Sequence, residues 1–288
     1  MVQSQKKSPG LLTETKILLR RHKLRQKKRY GQNFLVDDFV QRNILDTASL
    51  KRDETVLEIG AGLGALTLPM AKRAKEVIAL EFDRKCCDIL NDLLRDYKNV
   101  RVIKEDALRF DYDSIKEPYK VVANLPYYIS TPLLIKLLGY RKRITEMILM
   151  FQKEIADRIT ASCGTRDYGL LSVMVQYYTD ASLCFTVSKE SFMPSPKVDS
   201  AVVRLRFLDS PRVMVRDEAL FFGLVKASLA YKRKTLWNNL KRAGSMRLDT
   251  GLLNKVLERT GIDPKRRGET LNLEEYAKLT HAIWAQKQ

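Results

Sequence analysis

Short β-rich runs alternate with helical patterns from about residue 38 to residue 155, and this alternation restricts the fold more than any other feature of the sequence. Strands that are separated by helices predict a parallel sheet with helices on both faces. Two later runs, residues 184–187 and 201–207, are expected to complete the sheet as a hairpin. The predicted strands of the alternating part are residues 55–59, 77–80, 100–103, 120–123 and 147–151, and the predicted helices lie around residues 65–74, 84–96 and 132–138.

The chain changes character after Ser210 and Pro211, because only helical patterns follow. A length of 288 residues suits one large domain or a core domain with a smaller one. The predicted organisation is a basic N-terminal segment at residues 1–30, an α/β domain at residues 31–209 and a helical domain at residues 210–288. The helices predicted for this last domain are residues 217–229, 233–242, 252–260 and 273–284.

Positive charge is concentrated near the N-terminus of a strongly basic chain. The formal net charge is +18, and residues 1–30 carry ten Lys and Arg residues against one acid, Glu14, which gives this segment a charge of +9. Further basic clusters lie at residues 232–234, 241–242 and 265–267. Such clusters are typical of proteins that contact nucleic-acid phosphates and, less often, of those that bind anionic membranes. A mitochondrial transit peptide is also Arg-rich, but this basic stretch continues directly into sequence typical of a folded domain.

Cysteine and histidine are too dispersed to predict a metal site. The four cysteines form no CxxC pair, and the two histidines lie far from any motif. The sequence predicts no signal peptide and contains no apolar run of 18 residues. We therefore expect reduced thiols, no bound metal, no membrane association and a cytoplasmic protein.

A glycine-rich loop follows the first predicted strand and precedes a helix. Gly60 and Gly62 let the backbone turn sharply and approach a ligand closely, so both are candidate cofactor-binding residues. The spacing also matches the dinucleotide fingerprint loosely, which leaves an NAD-dependent enzyme as an alternative. Glu58 favours S-adenosylmethionine instead, because Glu-x-Gly-x-Gly-x-Gly is the arrangement usual for methyltransferases.

Acidic residues occur at the ends of the next two predicted strands. Glu81 ends the second strand, where a carboxylate can accept hydrogen bonds from both hydroxyls of an adenosyl ribose. Asp106 follows the third strand and can accept a hydrogen bond from the adenine amine of a cofactor. Each acid taken singly is an ordinary charge at a strand end. Glycines, Glu81 and Asp106 at three consecutive strand ends together predict a nucleoside site.

The fourth predicted strand runs into the tetrapeptide Asn-Leu-Pro-Tyr at residues 124–127. The side-chain oxygen of Asn124 and a neighbouring backbone carbonyl, that of Leu125, can both accept hydrogen bonds from an exocyclic amine. Tyr127 can stack on the ring that carries this amine. A plain strand-to-turn corner is the structural alternative. The residue types are better suited to a planar, amine-bearing base than to a sugar or a phosphate, and they have no role in hydride transfer.

The chain closely resembles the KsgA-type rRNA adenine N6-dimethyltransferases from about Thr15 to its C-terminus. Nothing in its cofactor or target-base motifs departs from the family pattern. The motifs that carry the resemblance are Gly-Gln-Asn-Phe-Leu at residues 31–35, the glycine loop at 58–64, Asn-Leu-Pro-Tyr at 124–127 with Ile-Ser-Thr-Pro at 129–132, Gln-Lys-Glu at 152–154, Tyr-Gly-x-Leu-Ser at 168–172, Phe-x-Pro-x-Pro-Lys-Val-Asp-Ser at 192–200, Arg-Lys-Thr at 233–235 and Arg-x-Glu-x-Leu at 267–271.

This resemblance implies a fold and a set of functional residues. The implied fold class is α/β, a Rossmann-like class I S-adenosylmethionine methyltransferase with a mostly parallel seven-stranded sheet and a small, all-helical, RNA-binding C-terminal domain. Tyr127 and Phe192 are implied to bracket the target adenine. The residues implied to line the S-adenosylmethionine pocket are Asn33, Leu35, Gly60, Glu81, Asp106 and Asn124.

By the same resemblance, the substrate is the 3′-terminal hairpin loop of 16S, the small-subunit rRNA, normally within an immature 30S particle. Two adjacent adenosines would each receive two methyl groups on N6. We expect direct in-line transfer without a metal or a covalent intermediate. We also expect rRNA as the partner, no DNA, and a monomer.

Two related functions stay open alongside this one. An Erm-type enzyme dimethylates an adenosine of 23S, the large-subunit rRNA, and confers macrolide resistance. A noncatalytic relative acts as an rRNA-binding factor or a mitochondrial transcription factor. The complete motifs at residues 192–200 and 267–271 favour the small-subunit enzyme over the Erm type. The intact glycine loop and the intact motif at residues 124–127 argue against lost catalysis.

Overall fold

The computed structural model describes residues 9–24, 32–243 and 249–286, which divide into two compact units. One unit comprises the described residues up to Ala156 together with Ser182–Phe207. The other comprises Asp157–Ala181 and the described residues from Leu208 onward. Placement of residues 157–181 with the later helices was not part of the predicted domain organisation. The predicted basic segment at residues 1–30 lies partly outside the described residues.

A sheet of seven strands forms the centre of the first unit. The strands of the chain are β1 (Phe34–Leu35), β2 (Thr55–Ile59), β3 (Glu76–Glu81), β4 (Val100–Lys104), β5 (Tyr119–Asn124), β6 (Ile144–Gln152), β7 (Thr179–Val187), β8 (Phe192–Met193) and β9 (Ser200–Phe207). The order in the sheet is β4-β3-β2-β5-β6-β9-β7, in which β4 to β6 run parallel and β9 runs antiparallel to β6. This arrangement confirms the predicted fold class. The two runs expected to form a hairpin are neighbours, with β9 inserted between β6 and β7.

Helices cover the sheet and shield its central strands from solvent. The helices before α6 are α1 (Leu11–Arg21), α2 (Asp38–Ala48), α3 (Thr67–Ala71), α4 (Arg84–Leu94) and α5 (Ser130–Leu138), and the division between the two units falls within α6 (Lys153–Thr160). Every residue of β2 is buried, as a strand covered on both faces requires. Asp37 and Asp83 begin α2 and α4 by accepting hydrogen bonds from the first free backbone N–H groups. Helix α3 is shorter than predicted. It ends at Ala71, and the N–H groups of Arg73 and Ala74 then both donate to the Met70 carbonyl in a turn.

A separate two-stranded sheet joins the N-terminal part of the chain to a distant segment. Strand β1 pairs antiparallel with β8, so that Leu35 lies opposite Phe192 and Phe34 lies opposite Met193. The Val36 N–H extends the pairing by donating to the Ser191 carbonyl at 2.9 Å. Neither strand was predicted, because two-residue strands carry no periodic pattern that sequence analysis can detect.

The second unit is helical, as predicted for the C-terminal part of the chain. Its main helices are α7 (Leu170–Tyr178), α8 (Glu218–Ser228), α9 (Leu236–Arg242), α10 (Thr250–Thr260) and α11 (Leu273–Trp284). Tyr177, Phe221 and Tyr276 are buried in its core. Helix α9 begins three residues later than predicted, because Thr235 caps it by accepting a hydrogen bond from the Asn238 N–H. Within the described ranges, no helix has the length and apolar content that crossing a membrane requires.

Candidate active site

The carboxyl ends of β2, β3, β4 and β5 lie side by side and border a cavity of about 710 Å³. Open α/β sheets bind their ligands in crevices of this kind. Phe192 is the one predicted site residue that does not line the cavity. The predicted residues that line it are Asn33, Leu35, Gly60, Gly62, Glu81, Asp106, Asn124, Leu125 and Tyr127.

The loop after β2 requires glycine at its turns. Gly60 and Gly62 adopt left-handed φ angles of 76° and 57°, a conformation that strains residues with a side chain. A Cβ atom on Gly62 would also lie 3.4 Å from the Phe34 ring. The Gly60 N–H donates to the Leu80 carbonyl, and the Gly62 N–H donates to the Glu81 carboxylate, both at 2.8 Å. These bonds hold the loop against β3 and present bare backbone to the cavity.

The Glu81 carboxylate is fixed at the end of β3 by three backbone N–H groups. Its Oε2 atom accepts a hydrogen bond from Gly62, and its Oε1 atom accepts from Phe82 at 2.9 Å and Asp83 at 2.8 Å. Burial raises the pKa of Glu81, while these hydrogen bonds act in the opposite direction. Since a carboxylate can accept about four hydrogen bonds, Glu81 retains capacity for a ligand hydroxyl.

Glu58 has a different environment from Glu81, although both line the cavity. Glu58 is 2% exposed and accepts a hydrogen bond from the Thr67 hydroxyl. Burial raises the pKa of Glu58 from 4.5 to about 8, and the nearby charge of Glu81 adds to the rise. Glu58 is therefore mostly protonated at neutral pH and adds little negative charge behind the glycine loop.

Asn124 and Tyr127 are held by partners that are distant in sequence. The Asn124 Nδ2 atom donates to the Asn33 carbonyl at 3.3 Å, which fixes the orientation of the amide. Its Oδ1 atom has no donor among the described residues and can accept a hydrogen bond from a ligand amine. The Tyr127 hydroxyl forms a hydrogen bond of 2.6 Å with the Ser200 hydroxyl. The ring of Tyr127 is half-buried and lines the cavity.

Phe192 lies in β8, where it is 4% exposed and packs in the hydrophobic core of the first unit. Its backbone pairs with Leu35, which does line the cavity. The structure therefore places Phe192 next to a cavity residue without placing it in the lining. Contact of Phe192 with a target base stays a prediction.

Sequence analysis missed two contributors to the site. Helix α1 forms part of the cavity wall through residues that include Leu11, Thr15 and Leu18, and their helical spacing in the sequence was the signal that could have revealed it. Ser200 was predicted only as part of a motif. Nothing in the sequence indicates that its hydroxyl binds Tyr127, because the two residues meet only through the sheet.

Acidic side chains outnumber basic ones in the cavity lining, although the chain as a whole is basic. Lys72 is the one Lys or Arg in the lining, counted over the part of the chain that the structure describes. This charge distribution favours a cationic ligand and disfavours the pyrophosphate of NAD. The lining carboxyl groups belong to Glu14, Asp38, Glu58, Glu81, Asp83, Glu105 and Asp106.

Two further features concern metals and the basic helical unit. Among residues 9–24, 32–243 and 249–286, no group of three or more His, Cys, Asp and Glu side chains could hold a metal ion. In the second unit, Tyr231 is 55% exposed beside the basic cluster at residues 232–234. Trp237 instead packs on the core and donates to the Asn254 side chain at 2.9 Å. The Tyr231 ring is thus exposed, with the Arg242 guanidinium 5.9 Å from its centroid, while Trp237 has a structural role.

The chain is similar to known proteins over most of its length, and not only at the site. A family model described as ribosomal RNA adenine dimethylase matches residues 23–279. The ribosomal RNA small subunit methyltransferase A of Geobacillus thermodenitrificans is 47% identical over 284 residues, which cover 96% of this chain and 96% of the relative. The protein of the same name from Clostridium botulinum (strain Langeland) is 43% identical over 273 residues, covering 94% of this chain and 98% of the relative.

Solved structures of related proteins have the same architecture over most of their length. A dimethyladenosine transferase from Plasmodium falciparum superposes with a TM-score of 0.77 at 28% identity, covering 87% of this chain and 97% of its own. The 23S rRNA methyltransferase ErmE superposes with a TM-score of 0.70 at 26% identity, covering 87% of this chain and 99% of its own.

Proposed function

This chain belongs to the ribosomal RNA adenine dimethylase family, and we propose that it dimethylates N6 of two adjacent adenosines in the 3′-terminal hairpin loop of small-subunit rRNA, with S-adenosylmethionine as methyl donor. The observation that carries the proposal is one cavity bordered by the glycine loop, Glu81 and the Asn-Leu-Pro-Tyr turn at residues 124–127. These groups suit a nucleoside cofactor and an amine-bearing base at adjoining positions.

Sequence identity supports the small-subunit substrate over the large-subunit one. Relatives named as small-subunit enzymes are 43–47% identical over at least 94% of this chain. ErmE, which is named for 23S rRNA, is 26% identical over 87% of it. Intact cavity residues likewise support an enzyme over a noncatalytic relative.

The residues that border the cavity fit S-adenosylmethionine. When bound, this cofactor supplies an activated methyl group on a positively charged sulfonium. Gly60 and Gly62 leave room for close approach to the backbone, and Glu81 retains acceptor capacity for a ribose hydroxyl. Asp106 would accept from the adenine amine. The acidic lining would stabilise the cofactor's positive charge.

Asn124, Leu125 and Tyr127 would hold the target adenine. The Asn124 Oδ1 atom and the Leu125 carbonyl would accept hydrogen bonds from the N6 amine and favour the positive charge that develops on it. Stacking on Tyr127 would contribute roughly 1–3 kcal/mol to base binding. Residues 124–127 contain no strong base, so the departing proton would pass to water. An unpaired loop adenosine enters such a site at a lower cost than a base in a duplex.

RNA binding would use the basic parts of the chain. Phosphate contacts from residues 1–30 and from the helical unit would make the affinity for rRNA fall with salt. Exposed Tyr231, beside residues 232–234, is a candidate stacking residue. We propose a monomer that acts on an immature 30S particle and contacts no DNA.

The decisive experiment measures transfer of labelled methyl groups to immature small subunits, large subunits and naked rRNAs. Dimethyladenosines mapped to the small-subunit 3′ hairpin would support the proposal. Asn124→Ala should abolish transfer while S-adenosylmethionine still binds, because the amide positions the amine. Asn91→Ala is the matched control, since Asn91 is exposed on α4 and does not line the cavity.

Other outcomes would point to the alternatives. Label confined to large-subunit rRNA would identify an Erm-type activity. Tight rRNA binding without label on any substrate would identify a noncatalytic assembly or transcription factor. Full activity of Asn124→Ala would refute the assignment of the tetrapeptide.

A further inference from the structure

Helix α1 closes one side of the cavity and is firmly anchored there. The Leu11 N–H at its start donates to both carboxylate oxygens of Asp38, at 3.1 and 3.3 Å. Leu11 and Thr15 are buried. Leu18 packs against a hydrophobic cluster that contains Phe34. These contacts fix which face of α1 is turned to the cavity.

Glu14 lies on this face and is half-buried in the cavity lining. Residues three and four apart share one face of a helix, so Glu14 is placed between Leu11 and Leu18. It is also the one acidic residue in the first 30 positions of the chain, where ten basic residues surround it in sequence. A carboxylate at this position thus stands out from the composition of its own segment.

Every other cavity carboxylate except that of Glu105 accepts at least one hydrogen bond from the protein. Glu81 accepts three backbone hydrogen bonds, and Glu58 is bound to Thr67 with a pKa raised by burial to about 8. Asp38 binds the start of α1. Asp83 accepts hydrogen bonds from the Lys85 N–H and the Gln32 side chain, and Asp106 accepts one from the Leu108 N–H.

Two lining carboxylates therefore have no donor among the described residues, Glu14 and Glu105. Glu105 is exposed, so water satisfies it, whereas Glu14 is half-buried. Lys72 forms no ion pair with Glu14 within the described part of the chain. An incompletely solvated carboxylate without a protein partner favours a cationic ligand group, because charge-assisted hydrogen bonds are about twice as strong as neutral ones.

We propose that Glu14 binds the α-ammonium group of S-adenosylmethionine, which makes α1 a part of the cofactor site. This inference rests on the proposed function. Glu81 and Asp106 are assigned to the adenosyl end of the cofactor. The amino-acid end of the cofactor would therefore lie against the part of the cavity wall that α1 and the glycine loop form. Leu18 joins that wall to the loop, since its cluster also contains Leu63. Glu14 would thereby discriminate cofactors that carry an amino acid from those that do not.

A purely structural role for Glu14 makes a different prediction. Glu14 lies in the first turn of α1, where a negative charge stabilises a helix through its dipole. Loss of that effect would loosen α1 and weaken every ligand of the cavity alike. A direct contact with the ammonium group would weaken only the ligands that carry it.

Calorimetric titration of the full chain separates these cases. The ligands are S-adenosylmethionine and 5′-deoxy-5′-methylthioadenosine, which keeps the adenosyl part and lacks the amino-acid end. Glu14→Gln should raise the Kd for S-adenosylmethionine roughly 10- to 100-fold, as loss of a charged hydrogen bond does, and leave the Kd for methylthioadenosine within about twofold. Glu105→Gln is the matched control and should change neither Kd by more than about twofold.

Each remaining outcome has one meaning. An equal loss for both ligands would assign Glu14 a structural role and overturn the inference. An unchanged Kd for S-adenosylmethionine would overturn it as well. Failure of the wild-type chain to bind S-adenosylmethionine would instead refute the proposed function, so the two failures are distinguishable.

Discussion

The Tyr127 hydroxyl lies 2.6 Å from the Ser200 hydroxyl, although 73 positions separate the two residues. Ser200 is fully buried at the start of β9, where it pairs with Gln152 of β6. The Tyr127 ring, which is proposed to stack on the target base, is therefore held by a residue of the antiparallel strand β9. Tyr127 itself lies in the turn that follows the parallel strand β5. The hydrogen bond gives the motif at residues 192–200 a contact with the motif at residues 124–127.

Removing this hydrogen bond should slow methyl transfer without weakening cofactor binding. Ser200→Ala and Tyr127→Phe each delete one hydroxyl and leave the stacking ring in place. A hydrogen bond of this kind contributes about 0.5–1.5 kcal/mol, so kcat/KM for rRNA should fall about two- to tenfold in each variant. The double variant should be no slower than either single one. Additive losses in this double-mutant cycle would mean that the two hydroxyls act independently.

Glu58 should make the folded protein less stable as the pH rises. Burial raises the pKa of Glu58 from 4.5 to about 8, so the folded state retains a proton that the unfolded state loses between these values. Glu58 therefore stabilises the fold fully below about pH 4.5, and this stabilisation decreases as the pH rises to about 8. Glu58→Gln, a neutral isostere, should flatten this decline. Urea unfolding at pH 5.5 and 8.5 measures it, and equal pH slopes for both proteins would contradict the prediction.

Glu146 should show the opposite pH dependence. Burial alone would raise its pKa, but hydrogen bonds from Arg204 and Arg206 outweigh burial and lower the pKa, with Lys120 adding to the effect. A lowered pKa stabilises the fold above about pH 4.5, the ordinary value, and this stabilisation is lost as the carboxylate is protonated in acid. Glu146→Gln should cost about 2 kcal/mol at pH 7 and less at pH 3.5. A cost independent of pH, measured by urea unfolding, would argue against a charge effect.

Gly268 should tolerate no side chain. A Cβ atom there would overlap the Ser228 carbonyl oxygen, a backbone atom that cannot move aside easily. Gly268→Ala should therefore destabilise the second unit by about 1–3 kcal/mol. Gly223→Ala is the matched control, because its Cβ position in α8 meets no other described atom within 4 Å beyond its chain neighbours and the backbone of its own helix, and it should stabilise by up to about 1 kcal/mol. Equal denaturation midpoints for the two variants would contradict this account.

Much of the sheet and of the cavity could be predicted from the sequence because the signals are local. Strand β2 was predicted with its observed limits, and α11 likewise, since continuous burial and helical spacing mark these elements along the chain. Gly60, Glu81 and Asp106 were predicted together because the ends of parallel strands converge at one edge of a sheet. Asn124 was placed with them by the family resemblance.

Local sequence determined the order of strands and helices, the glycine loop and the residue types at the strand ends. Only the tertiary structure decided which distant residues support them. The β1–β8 pair, the Tyr127–Ser200 hydrogen bond and the position of Glu14 in the cavity wall each join segments that no short pattern connects. The difference is physical, because periodicity reports burial along one element, whereas a contact between elements depends on how several of them pack at once.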